Sequence, residues 1–303
     1  MRYIFVMVFG LFCLTAFGQK SEKFAGPNKT FFNGEELFDK AQFSAAQREF
    51  RHFIDAEKNR QSPLYVKARY YDAAAALELF NDDAIELLEK FLEDYPETIY
   101  KESIYFRIGK YFYQKKKYTD AIYYFNRLNE RALALEDKPE YFFKLGYANF
   151  QLGNFKEARN AFYEVKDGDS NYAGPALYYF SHISYQDKNY QVALEGFKTL
   201  QKDARFKEVV PYYIAQILYL QKKYDELVVY APGIMDSVKA KRSSEMSLLI
   251  GDAYYKTSKY DEAVPYLEAY NKTKQTTRQE DYQLGYAYFK SGSYTKAVNM
   301  FDR

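Results

Sequence analysis

The sequence predicts an all-α fold of about eight helix-turn-helix repeats, and three observations carry that prediction. An aromatic-x-x-Ala-x-x-x-aromatic signature recurs as Phe43/Ala46/Phe50, Tyr118/Ala121/Phe125, Phe155/Ala158/Phe162, Tyr190/Ala193/Phe197, Tyr260/Ala263/Leu267 and Tyr294/Ala297/Phe301. Weaker copies stand at Asn81/Ala84/Leu88 and Tyr224/Leu227/Ala231. The starts at 43, 81, 118, 155, 190, 224, 260 and 294 lie 34 to 38 residues apart, the period of stacked helical hairpins and not of a heptad coil. The third observation is composition: 34 Tyr and 26 Phe with no Trp. A tyrosine ring fills space between helices while its polar tip tolerates the wet surface of a thin array, so packing accounts for the excess.

The stretch from Leu145 to Phe162 shows one unit's physics. Leu145, Gly146 and Ala148 share a face of a first helix, Gly153-Asn154 break it, and Phe155, Ala158 and Phe162 fall at i, i+3 and i+7 on a second. Gly146 and Ala158 let the two helices approach closely, and Leu145, Phe155 and Phe162 supply the apolar surface that holds them.

From the N-terminus, Met1 to Gly18 combines Arg2, an apolar run from Ile4 to about Phe17, and small residues Ala16 and Gly18 at −3 and −1. This reads as a secretory signal peptide cut before Gln19, since a membrane span needs about 20 apolar residues. Cys13 lies inside it behind the bulky Phe12, which argues against lipidation, and the mature chain then has no cysteine for disulfides or thiol chemistry. Residues 19 to 30 form a polar leader, and 31 to 303 form the repeat array. Ser62-Pro63 breaks the first repeat from the second. Pro139, Pro175 and Pro211 open later first helices, where a missing N–H is harmless. Ala231-Pro232-Gly233 should end or kink the second helix of the sixth repeat, placing the basic stretch Lys239 to Arg242 near the next junction. Pro265 is expected within the first turn of its helix.

The form Leu-Gly-x-Ala-Tyr-x-x-x-Gly-x-Tyr-x-x-Ala-x-x-x-Phe, nearly complete from Leu284 to Phe301, resembles the tetratricopeptide repeat family. The resemblance implies a right-handed superhelical solenoid whose first helices line a concave face. Tyr-Pro-x-Thr-x-Tyr at Tyr95 to Tyr100 is similar to a linker in envelope-located members that assemble outer-membrane or cell-wall machinery.

Charge and chemistry narrow the function. With 43 Lys+Arg against 41 Asp+Glu, interspersed, there is no electrostatic case for nucleic acid or an anionic membrane. His52 and His182 are the only histidines, no metal-ligand spacing or glycine-rich phosphate loop occurs, and neither an enzyme nor a cofactor is expected.

Aligning the repeats on Gly109, Gly146, Gly251 and Gly285 assigns the groove as the resemblance implies it. Three residues before this position come Phe106, Phe143, Tyr178 and Tyr212; one after, Tyr147, with Lys110, His182, Gln216 and Asp252 elsewhere in that column. Four after come Tyr113, Phe150, Tyr185 and Tyr219, and five after, Gln114, Gln151 and Gln186. These offsets cluster along one helical stripe. Lateral packing between first helices and contact with an extended or helical partner segment both account for the rings, and the glutamines are either solvated or bond a partner's backbone. The ring of Lys, Arg and Asn that clamps a C-terminal carboxylate in some members is missing.

The expected function is a non-catalytic protein-interaction scaffold of the cell envelope, in the periplasm or at the periplasmic face of the outer membrane, binding a partner protein or peptide. The alternative is the sensory or regulatory part of a longer signalling or wall-remodelling protein, and a third reading is glycan binding by the tyrosine columns. The eighth repeat is expected to be cut short, with Phe301 facing outward and no closing helix, so the physiological protein is expected to continue past Arg303.

Overall fold

The computed structural model describes residues 26–237, 240–272 and 276–302. The signal peptide, Cys13, most of the polar leader and Lys239 lie outside them. Among the described residues the chain forms sixteen α-helices, one 3-10 helix and no strand. Paired in order, they are α1 (Lys29–Asp39) and α2 (Phe43–Ala56), α3 (Pro63–Glu78) and α4 (Ala84–Asp94), α5 (Lys101–Gln114) and α6 (Tyr118–Phe125), and α7 (Lys138–Gln151) and α8 (Phe155–Tyr163). There follow α9 (Ala173–Gln186) and α10 (Tyr190–Leu200), α11 (Val210–Leu220) and α12 (Tyr224–Tyr230), α13 (Ala240–Lys256) and α14 (Tyr260–Asn271), and α15 (Arg278–Lys290) and α16 (Tyr294–Phe301).

Every hairpin turns in the same way. One residue takes a left-handed backbone conformation, and the N–H of the next reaches back five residues, as from Gln42 to Leu37, Asn154 to Asn149 and Ser293 to Tyr288 at 2.8–2.9 Å. The left-handed residue bonds three back, completing the Schellman arrangement that satisfies the last carbonyls of the first helix. Only Gly153 and Gly292 are glycines at this position; Ala41, Phe80, Lys116, Lys188, Lys222 and Ser258 hold φ of 56–61° against the Cβ penalty. Replacing Lys188 or Lys222 by glycine should therefore raise stability by about 0.5–1 kcal/mol, the left-handed strain relieved less the entropy glycine adds to the unfolded chain. A urea midpoint that falls for both variants would refute this.

In four hairpins close approach is set by a glycine on the first helix facing a large residue sixteen positions on. A Cβ on Gly34 would lie 2.8 Å from the Phe50 ring, on Gly146 2.9 Å from Phe162, on Gly251 2.8 Å from Leu267, and on Gly285 2.7 Å from Phe301. In the second hairpin the turn is one residue shorter: left-handed Phe80 precedes buried Ala84 by four residues, whereas Ala41 precedes Ala46 by five. The first-helix residue buried there is Ala73, one position beyond where the 81 start puts it.

The chain divides into two compact units, Met1–Tyr111 with Arg127–Asn129, and Phe112–Asn126 with Glu130–Arg303. The first packs Phe31, Phe50, Leu88, Phe91, Ile104 and Ile108 in full burial. Ser62 caps α3 by accepting from the Tyr65 N–H at 3.1 Å, with Pro63 in its first turn. The second unit repeats the scheme around Phe162, Phe197, Ile183, Ile214 and Ile217.

Two expectations about proline meet different outcomes. As the sequence leads one to expect, α12 ends at Tyr230 and a 3-10 helix, Pro232–Ser237, follows. Pro265, however, is the sixth residue of α14 and so lies beyond its first turn. It is exposed, so the hydrogen bond its missing N–H forgoes leaves a carbonyl that water reaches. Phe301 is 45% exposed but has neighbours, resting against Gly285 and 5.6 Å from the Tyr282 ring.

Candidate functional site

In the first unit the structure places Phe106 in the core at 3% exposure, its ring under the Lys110 ammonium at 4.6 Å. The rest of the assigned stripe lies in the second unit. There Phe143, Tyr147, Phe150, Tyr178, Tyr185, Tyr212 and Tyr219 are all half-buried, as is Tyr113.

The residues four after the small position close their own hairpins. Tyr113 meets Tyr118 at 6.0 Å, Phe150 meets Phe155 at 5.5 Å, Tyr185 meets Tyr190 at 6.0 Å, and Tyr219 meets Tyr224 at 5.5 Å, edge-on or tilted as ring quadrupoles prefer. Tyr147 lies edge-on to Tyr113, Tyr118 and Tyr179, linking the first helices α5, α7 and α9. Phe143 contacts Phe162 and Tyr172, and Tyr178 stacks on Phe206 at 5.3 Å. Packing thus engages each ring with neighbouring aromatics and still leaves it half-buried, not closed off from solvent. Gln114, Gln151 and Gln186 are the last residues of α5, α7 and α9, exposed at the turn edge of the stripe, without a hydrogen-bond partner among the described residues.

A lateral polar ladder crosses the next helices. The Tyr185 hydroxyl donates to Gln216 Oε1 at 3.1 Å, and Gln216 Nε2 to the Tyr212 hydroxyl at 2.8 Å. The Tyr219 hydroxyl donates to Asp252 Oδ2 at 2.5 Å and Gln283 Nε2 to Oδ1 at 2.7 Å, with Lys256 Nζ 3.3 Å away. Asp252 is 4% exposed and floors a cleft of about 290 Å³ between α13 and α15. Burial, then the adjoining Asp252 carboxylate, pushes the Tyr219 phenol well above its ordinary range. In the sequence, Gln216 and Asp252 stand out only as members of one column. The signal that pairs them was the tyrosine four positions along in the preceding repeat.

Among the described residues no group of three or more His, Cys, Asp or Glu is arranged to hold a metal, and no helix is long and apolar enough to cross a membrane. Residues 80–132 and 128–173 match one tetratricopeptide repeat model, and residues 244–276 match another. These segments are tetratricopeptide repeats. The hairpins outside them share the same left-handed turn. No curated protein sequence matches the chain significantly. Among solved structures, this chain is similar to a tetratricopeptide repeat protein from Parabacteroides merdae ATCC 43184 at 12% identity, over 86% of this chain and 98% of that one, with a TM-score of 0.46. It is also similar to YrrB, described as a TPR protein with an unusual peptide-binding site, at 13% identity over 72% and 100% with a TM-score of 0.47. The apo form of RapI matches at 16% identity over 91% and 85%, with a TM-score of 0.48.

Proposed function

We propose that the protein is an exported, non-catalytic interaction scaffold of the cell envelope, acting in the periplasm or at the periplasmic face of the outer membrane. It binds an extended or helical segment of a partner protein along α7, α9 and α11. The observation that carries this reading is the stripe itself: consecutive repeats present half-buried rings at Tyr147, Phe150, Tyr178, Tyr185 and Tyr212, bordered by the unpartnered glutamines Gln151 and Gln186. Rings already held by neighbours lose little freedom on binding, and free amides at the edge suit a partner's backbone. The export assignment rests on the N-terminal signal pattern.

Tyr147→Ala and Gln151→Ala should each weaken capture of the partner from envelope extract, by about 2 kcal/mol where the residue is a hot spot, with circular dichroism unchanged. The captured complex should contain a chain beginning at Gln19. Undiminished capture by both variants moves binding elsewhere, and an intact Met1 on the envelope protein removes the export assignment.

A further inference from the structure

α13 is longer than the other first helices of the second unit, α7, α9, α11 and α15, and its extra turn carries a cation. It begins at Ala240, eleven residues before Gly251, whereas α7 and α9 begin eight residues before Gly146 and Ser181. The added turn brings Arg242 over α11, its guanidinium 4.5 Å from the Tyr212 ring and 5.4 Å from the Tyr213 ring. Its Nη1 is shielded from solvent and donates to nothing. His182 of α9 approaches the same Tyr213 ring edge-on at 5.5 Å, boxed by Phe150 at 5.8 Å and Tyr178 at 6.2 Å, and its Nδ1 is likewise buried with no partner. Two polar groups on different helices thus meet one ring with hydrogen-bonding capacity unused, a costly state for buried groups.

We propose that this corner of the groove receives a carboxylate side chain, glutamate or aspartate, of the bound partner segment, held by Arg242 and His182. The proposal rests on the groove reading above and specifies what the partner presents there. A guanidinium stacked on tyrosine is fixed in its plane, and its fork matches a carboxylate better than any neutral acceptor. The other titratable groups around the corner are Tyr178, Tyr212, Tyr213 and Glu245. Glu245 stands one turn along α13, and its carboxylate acts on the same Tyr212 phenol as Arg242 does. Burial, then repulsion from Arg242, holds His182 below its ordinary value. A carboxylate entering beside it reverses the second effect and favours the imidazolium, so binding takes up a proton and tightens as pH falls through the histidine range.

His182 also provides the readout, because His52 is the only other histidine and lies in the first unit. The probes are the blocked hexapeptide acetyl-Gly-Ser-Glu-Leu-Ser-Gly-amide and its glutamine counterpart, followed by nuclear magnetic resonance of the histidine rings. The glutamate peptide should shift the His182 ring signals saturably and raise that residue's titration midpoint, leaving His52 unmoved. The glutamine peptide should bind at least about tenfold more weakly, and Arg242→Gln should bring the glutamate peptide down to that level with unchanged circular dichroism. Equal binding of the two peptides, no His182 response to either, or retention of binding in Arg242→Gln overturns the proposal. So does inorganic phosphate that saturates the shift at the same concentration, which makes the corner a small-anion site. If His182 stays silent while Tyr147→Ala and Gln151→Ala lose the partner, the carboxylate contact falls and the groove stands. If His182 responds while capture by those variants is undiminished, the contact stands and the groove falls.

Discussion

Phe162→Ala should lower the stability of the second unit by about 3–5 kcal/mol, the usual loss for a large aromatic removed from a closed core. Phe162 is fully buried. Its ring packs against the backbone of Gly146 where a Cβ would stand 2.9 Å away, stacks on Tyr179 at 5.4 Å, and adjoins Phe143 at 5.9 Å. Neither helix can close the gap, because Gly146 has no side chain to swing into it. Ala158→Phe attacks the same crossing from the opposite direction: Ala158 is fully buried, and added volume there forces strain of about 1–3 kcal/mol. Tyr185→Ala is the contrasting change. It removes a half-buried ring and its hydrogen bond to Gln216, whose amide still donates to Tyr212. Thermal melts should rank Tyr185→Ala as the mildest of the three. A greater loss for Tyr185→Ala than for Ala158→Phe would make the tyrosine stripe core and remove it from the groove.

The second large effect is alkaline unfolding. Burial pushes the Tyr141 phenol up to about 12, with the Glu130 carboxylate adding to it, and burial does the same to Tyr179, with Tyr147 beside it. Tyr113, Tyr178, Tyr219 and Tyr230 are raised further still, burial being the leading cause in each. In the unfolded chain these phenols ionise near pH 10. Because the folded values are the higher ones, the neutral forms belong to the fold. Their contribution is complete below about pH 10 and is lost as pH rises through the folded values, at about 12 for Tyr141. Tyr141 is 4% exposed, and its shift alone corresponds to about 2–3 kcal/mol. Helicity should be lost in one cooperative step above pH 10, and the last phase of phenolate absorbance should appear with it. A phenolate titration already complete near pH 10 with helicity intact would show that these rings are open to water.

Much of the architecture was legible because it is local and repeated. The turn from first to second helix and the small residue facing a large one lie within a single hairpin, and the period of 34 to 38 residues repeats that hairpin along the chain. The break at Pro232 was equally plain, since proline's lost N–H acts wherever the helix tries to continue. The left-handed turn residues were not legible: six of the eight are Ala, Phe, Lys or Ser, so the glycine that announces such a turn is absent, and the shortened turn before Ala84 followed from the same gap.

The sequence by itself determined the all-α class, the eight hairpins with the start of the second helix in seven of them, and the stripe of first-helix residues taken as the candidate site. Tertiary structure alone decided what each member of that stripe does. An aromatic at one helical offset suits either a neighbour's ring or a ligand, so Phe106 in the core and half-buried Phe143, three residues before their small positions, look alike in sequence. The ladder from Tyr185 to Gln216 and from Tyr219 to Asp252, and the approach of Arg242 and His182 to Tyr213, join residues about 30 or more positions apart on separate helices. Which polar atoms are satisfied there depends on the offset between adjacent hairpins and on one added turn of α13, and neither quantity is encoded in the pattern of any single repeat.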